Sequence, residues 1–298
     1  MMFRGESLLE ILAWIESRHA AGAEPVFEVL DPDLGRGHYA GEQVEVAGES
    51  YVHRPLRVWV DLAERLGLRL RTPRLRGHLV ELRFERLDRA AVLRGDGEDA
   101  TERYGASSSF ARVRKLEDPG FVIDLREALD RAVLPAAPRV LDLGVNTGDE
   151  LALIATCIPG ARFAGIDHSA SAIAVARERF PAAELHVADL SNLGALGLGR
   201  FDLVVSIGTL QSPGIDDRDV VRRVVQDHLA ATGAVIFGFP NCRYVDGELE
   251  HGTRMKNFRQ PELGLLIKDV AFYRKYLQQH GRRVFVTGKH YVLVTGVP

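Results

Sequence analysis

The sequence predicts an α/β fold: a doubly wound, mostly parallel seven-stranded sheet closed by a C-terminal antiparallel hairpin, preceded by a smaller α+β domain. Three observations predict it. From residue 120 onward, short apolar runs alternate with helical patterns of roughly 10–15 residues, the signature of βαβ units. The chain ends on two β-rich runs across a tight glycine turn, which reads as antiparallel. The first 90 residues follow a different, irregular order, and 298 residues is about twice the usual domain size, so a large domain plus a smaller one is the natural division.

The elements follow in order. An amphipathic helix spans Leu8 to His19, an apolar strand Pro25 to Leu30, and a second helix follows Pro55. The alternating run His78 to Phe84 reads as a half-buried strand, which completes a domain over residues 1–90. Residues 91–118 shift to acids, glycines and serines with few apolar positions, the composition of a linker or lid, and Tyr104, Ser107 to Ser109 and Phe110 are its candidate contacts with a ligand. Residues 119–298 form the main domain. A helix near Ile123 to Ala132 precedes RVLDLG, a helix through Ile154, RFAGID, the helix SASAIAVARERF, ELHVAD, FDLVVSIG, the helix DVVRRVVQDHLA and GAVIFGF. A long helix over Pro261 to His280 then leads to the strands Val284 to Thr287 and Tyr291 to Thr295, joined by Gly288-Lys289.

Composition narrows the function. Hydrophobic residues at 46% and charged residues at 27% exclude wholesale disorder. A net charge of -3 gives no global pull toward DNA or an anionic membrane. No run reaches the roughly 18–20 apolar residues of a spanning helix, and the N-terminal segment, with acids inside it, lacks a secretory h-region. Cys157 and Cys242 lie far apart in unrelated contexts, so neither a disulfide framework nor a zinc site is expected, and a cytoplasmic location is the simplest reading. His251, beside Glu248 and Glu250, has too few converging ligands for a metal site, and no metal is expected.

The strongest chemical signal is Val140 to Glu150, a strand running into a Gly-rich turn and then a helix. Such a turn lets backbone N–H groups approach a ligand, and the helix N-terminus favours electron-rich groups. A dinucleotide fingerprint needs glycine at 144, 146 and 149, where this chain has Gly144, Asn146 and Asp149. The pattern acid-x-G-x-G-x-G instead fits Asp142, Gly144, Asn146 and Gly148 with one departure, and asparagine is the residue that best tolerates left-handed geometry there. Asp149 beside the turn is also expected to repel a pyrophosphate.

On these residues, positions 120–298 resemble the class I S-adenosylmethionine-dependent methyltransferases. The resemblance implies S-adenosylmethionine as cofactor, S-adenosylhomocysteine as product and a methyltransferase activity. It assigns the methionine end to Asp142, Gly144, Val145, Asn146 and Gly148, the ribose hydroxyls to Asp167, and the adenine to Asp189 and Leu190, with His168 beside the adenine or facing solvent. Ile207 and Gly208 end the fourth strand, next to the transferable methyl. The acceptor side falls to Thr209, Gln211, Asn241, Arg243, Tyr244, Arg254 and Lys256. Four of the five lysines, Lys256, Lys268, Lys275 and Lys289, lie in the last 43 residues, which suggests a basic substrate rim. No Asn-Pro-Pro-Tyr motif, nucleophilic cysteine or metal-binding acid cluster marks a subfamily, so the acceptor, its reacting atom and any general base stay open.

A small-molecule acceptor is favoured by the near-neutral charge. The alternative is tRNA or rRNA, read by the stretch Arg54 to Arg94 with its eleven arginines and with Tyr51, His53 or Trp59 for stacking. A third reading is a non-catalytic adenosine-ligand or protein-binding module, which the Asn146 departure would fit. The residues do not define an oligomeric state.

Overall fold

The structure is a computed structural model that describes residues 1–89, 105, 108–252 and 264–298. The chain divides into two compact units, Met1–Val92 with Val245–Glu250, and Leu93–Tyr244 with His251–Pro298. No helix among the described residues is long and apolar enough to cross a membrane.

In the first unit, α1 (Leu8–Ala20) starts at a capping box: the Ser7 hydroxyl accepts the Glu10 N–H while the Glu10 carboxylate accepts the Ser7 N–H. Strand β1 (Val26–Leu30) leads to a 3₁₀ turn at Pro32–Gly35. A hairpin follows, β2 (Gln43–Val46) and β3 (Glu49–Val52), where the sequence predicts only a turn-rich stretch. Its turn residues Ala47 and Gly48 both have positive φ, 54° and 79°, as a two-residue hairpin of this hand requires. Helix α2 (Leu56–Arg65) and strands β4 (Leu68–Leu70), β5 (Arg74–Arg76) and β6 (Leu79–Arg86) complete the unit. The antiparallel sheet centres on β6, which pairs with β1, β4 and β5. One face packs Phe27, Phe84, Leu82 and Trp59 against Ile11 and Ile15.

The second unit opens with 3₁₀ turns at Ser109–Arg112 and Lys115–Glu117, so the end of the segment expected as linker is structured. Helix α3 (Pro119–Arg131) is capped by the Asp118 side chain. Then come β7 (Arg139–Leu143), α4 (Asp149–Cys157), β8 (Arg162–Asp167), α5 (Ala170–Arg179), β9 (Glu184–Val187) and β10 (Phe201–Ile207). The next helix is shorter than predicted: α6 (Asp217–Arg223) gives way to a π turn at Val224–His228, and β11 (Leu229–Pro240) begins where helix is expected. Pairing explains the difference, since Leu229 is already in register with Phe201 on β10 before an irregularity in the ladder. A second unforeseen hairpin, β12 (Cys242–Val245) and β13 (Glu248–His251), turns at Asp246 and Gly247, again both at positive φ. Helix α7 (Gly264–Gln279) and the strands β14 (Arg283–Thr287) and β15 (Tyr291–Val297) end the chain.

The main sheet has seven strands in the order β14–β15–β11–β10–β7–β8–β9. Strands β11, β10, β7, β8 and β9 are parallel, and the terminal hairpin joins antiparallel to β11. The order reverses between β7 and β10. Loops leaving the carboxyl ends of two such strands diverge to opposite faces and open a crevice between them, the place where open α/β sheets bind ligands. Beneath it, Leu141, Leu143, Ile166, Val204, Phe237 and Phe239 form a fully buried core.

Candidate cofactor site

The crevice is occupied by the Gly-rich turn. After Leu143 the chain reverses sharply: Gly144 and Val145 both donate to the Ile166 carbonyl, at 2.8 and 3.1 Å. Gly144 has φ +86°, and a Cβ there would lie 1.9 Å from Thr209 Oγ1, so only a hydrogen fits where the loops after β7 and β10 meet. Asn146 adopts φ 45° and its side-chain oxygen accepts the Thr147 N–H at 2.7 Å, the local bond that makes left-handed geometry tolerable for asparagine. Gly148, at φ +87°, caps α4.

Asp167, at the carboxyl end of β8, ties this turn to the next one. Its two carboxylate oxygens accept the Asn146 and Ser169 N–H groups, each at 2.9 Å. Each oxygen keeps a further lone pair for a ligand hydroxyl. His168 lies beside it, Nδ1 3.6 Å from Oδ1, with its side chain 41% exposed.

These groups line one cavity. Gly144, Asn146, Thr147, Asp167 and His168 form one wall, and Ile207, Gly208 and Thr209 the floor at the end of β10. Ser212, Pro240, Cys242, Tyr244 and Tyr291 form the far wall, while Ala111, Val113, Lys115, Asp149 and Glu150 close the end over the Gly-rich turn.

The electrostatics differ from end to end. Glu150 is 1% exposed, and its Oε1 meets Lys115 Nζ at 2.5 Å while Oε2 has no hydrogen-bond partner. Burial works against the Lys115 ammonium, but the Glu150 charge and hydrogen bond outweigh it and hold its pKa above the ordinary lysine value. Asp142 is fully buried behind the turn, and burial, then the Glu150 charge, push its carboxyl well above the usual range. On the far wall burial raises the Cys242 thiol and the Tyr244 phenol each to about 12, and Tyr291 well above its ordinary value. The two phenols are hydrogen-bonded. Either hydroxyl can serve as the donor of that bond.

The expected site residues are thus partly assembled. Gly144, Asn146, Asp167, His168, Ile207, Gly208, Thr209 and Tyr244 line the cavity. Val145 and Leu190 are buried in the hydrophobic core, and Gly148 supports the turn from outside the lining. Asp189, at the end of β9, spends one oxygen on the Ser191 N–H at 2.7 Å, a bond that lowers its pKa, and is not among the lining residues. Gln211 is buried outside the lining; Asn241 donates to the Lys289 carbonyl at 3.0 Å, and Arg243 is half-buried away from the cavity. Arg254, Lys256, Tyr104 and Ser107 lie outside the described residues. Among the described residues no cluster of three or more metal-ligating side chains occurs. Asp149, expected to repel a pyrophosphate, is not a free charge, because its carboxylate meets Arg179 at 2.9 Å. In the stretch Arg54 to Arg94, Arg71 pairs with Glu85, Arg76 with Glu81 and Arg83 with Glu24, and Arg54 donates to the Glu6 carbonyl.

Residues 141–235 match the family model described as a methyltransferase domain. That match, over about a third of the chain, agrees with the resemblance of its motifs to the class I S-adenosylmethionine-dependent methyltransferases. S-adenosylmethionine is the cofactor that goes with this domain. The methyltransferase cradle fits that group: the close approach at Gly144, the left-handed Asn146 and the orphaned Glu150 Oε2 are features that a passive turn does not need. Among curated relatives, the chain is 49% identical over 164 residues to a trans-aconitate 2-methyltransferase of Paracidovorax citrulli, covering 55% of this chain and 61% of the relative. It is 31% identical over 149 residues to the protein of the same name in Delftia acidovorans, covering 50% and 54%. The chain therefore spans between half and two-thirds of the length of these relatives. A solved TehB-like methyltransferase from Corynebacterium glutamicum superposes with a TM-score of 0.40 at 20% identity, over 58% of this chain and 85% of that one.

Proposed function

We propose that this protein transfers the methyl group of S-adenosylmethionine to a carboxylate oxygen of a small polycarboxylate of the trans-aconitate kind. The observation that carries the reading is the chemistry of the cavity's far wall. Cys242, Tyr244 and Tyr291 all stay protonated at neutral pH, so this wall offers hydrogen-bond donors and no strong base. A carboxylate acceptor needs no base, because it is already ionised with a pKa of about 4. A phenol or an amine would need a base to take its proton. The relatives named trans-aconitate 2-methyltransferase support the same class.

The cofactor supplies, when bound, a sulfonium methyl that passes to the acceptor oxygen as the carbon–sulfur bond electrons return to sulfur, giving a methyl ester and S-adenosylhomocysteine. The protein's task is then alignment and exclusion of water. Asp167 receives the ribose hydroxyls on its remaining lone pairs, and the Gly144 turn admits the chain of atoms leading to sulfur. Tyr244 and Tyr291 both line the cavity and share one hydrogen bond, so one of the two phenol protons is left for an acceptor oxygen. Thr209 and Ser212 line the cavity with further hydroxyls.

The test is incubation of purified protein with methyl-labelled S-adenosylmethionine and a panel holding trans-aconitate, other di- and tricarboxylates, a phenol and an amine. The expected product is a base-labile methyl ester on a polycarboxylate. Label carried only by amines, phenols, RNA or protein overturns the proposal.

A further inference from the structure

The turn end of the cavity leaves a buried carboxylate oxygen without a donor. Asp149 is paired with Arg179 and Glu150 with Lys115, while burial pushes the Asp142 carboxyl well above the usual range. Asp142 is 0% exposed with neither oxygen hydrogen-bonded, and Glu150, 1% exposed, lines the cavity with Oε2 unpartnered. A buried carboxylate oxygen without a donor is costly, and on a residue that lines a cavity it marks a place where a ligand donor belongs. Lys115 lines the same end, its side chain 24% exposed, so its ammonium has protons left beyond the one given to Glu150. The end of the cavity thus presents one acceptor and one cationic donor side by side, the complement of a zwitterion.

We propose that Lys115 and Glu150 together seat the amino-acid end of the cofactor, Glu150 Oε2 accepting from its α-ammonium and Lys115 Nζ donating to its α-carboxylate. This rests on the cofactor reading above and extends it to two residues on which the sequence pattern places no role. The bound ammonium gives Glu150 Oε2 the donor it lacks, and the bound carboxylate takes up protons of Lys115 beyond the one given to Glu150. Lys115 stands outside the segment that matches the methyltransferase family model, on the 3₁₀ turn before α3. The turn is therefore part of the cofactor site, and a chain beginning at α3 would lack half of the seat.

The experiment compares two ligands by calorimetry on the full chain: S-adenosylhomocysteine, which has the amino-acid end, and 5′-methylthioadenosine, which shares the nucleoside and thioether but lacks it. The native protein is expected to bind S-adenosylhomocysteine at least tenfold tighter. Lys115→Met and Glu150→Gln should each weaken S-adenosylhomocysteine at least tenfold and leave 5′-methylthioadenosine within about twofold, while Lys115→Arg restores most of the loss. Should a single substitution unfold the protein by stranding a buried charge, the uncharged pair Lys115→Met with Glu150→Gln carries the same test, with retained 5′-methylthioadenosine binding as proof of folding. Equal weakening of both ligands, or no preference in the native protein, overturns the proposal and leaves the cofactor reading standing. If neither ligand binds the native protein, both fall together.

Discussion

Replacing Gly144 by alanine tests the cradle at its tightest point. At φ +86° an L-residue costs about 1–2 kcal/mol. The new methyl carbon would also stand 1.9 Å from Thr209 Oγ1 and 2.7 Å from its Cβ and Cγ2, an overlap that must push the loops after β7 and β10 apart. Overpacking of this kind costs about 1–3 kcal/mol, so the variant should lose about 2–5 kcal/mol in all. For a unit of this size each kcal/mol lowers Tm by about 2–4 °C, giving a fall of roughly 4–20 °C by differential scanning calorimetry. S-adenosylhomocysteine affinity should drop at least tenfold, about 1.4 kcal/mol, because the same displacement moves Asn146 and the floor at Thr209. Thr209→Ala in the same protein removes Oγ1 and Cγ2, so it should recover part of the loss with a coupling of about 0.5–3 kcal/mol. A Gly144→Ala protein with unchanged Tm and affinity, or a double variant no better than the single one, would refute the reasoning.

Other substitutions probe separate links. Asp167→Ala should weaken S-adenosylhomocysteine at least tenfold in a calorimetric titration, since it removes the ribose acceptor together with the brace on the Asn146 N–H. Tyr244→Phe should lower kcat/KM for the carboxylate acceptor about tenfold or more while the Kd for S-adenosylhomocysteine stays within twofold, as one hydrogen bond to a charged group is worth about 1.5–3 kcal/mol. Asp142 titrates with the opposite sign to an ion-paired acid. Its folded pKa lies above the unfolded value, so the folded state holds the extra proton, and stability is lost as pH rises through the raised pKa. Asp142→Asn removes that loss, and the difference in Tm between variant and native protein should grow in the variant's favour as pH rises above the unfolded value of about 4. A difference that is flat or reversed over that range would contradict the assignment.

Much of the main domain was legible because its strands are buried on both faces and read as apolar runs, while its helices carry the longer period. The cradle was legible because Gly144 and Gly148 stand at positions where only special backbone geometry fits. The missed elements have particular reasons. The β2–β3 turn is Ala47-Gly48, without the Asn-Gly or Asp-Gly that announces such a hairpin, whereas Asp246-Gly247 between β12 and β13 is that signal and was readable. The helix before β11 was overextended because Leu229 satisfies helical spacing equally well, and only its partner on β10 decides. Lys115 and Glu150 escaped the motif for a different reason: their meaning comes from a contact across 35 positions, which no local pattern records. Asp189, just past β9, accepts the Ser191 N–H on one oxygen and lies outside the cavity lining.

The central claim is that this chain holds an adenosyl sulfonium in the cradle between β7 and β10. A calorimetric titration of the purified protein with S-adenosylhomocysteine tests it most directly. The account predicts saturable binding at one site per chain with a Kd of about 1 μM or below, some 8 kcal/mol of binding free energy, accompanied by a rise in Tm. No heat of binding and no shift in Tm at millimolar ligand would contradict it.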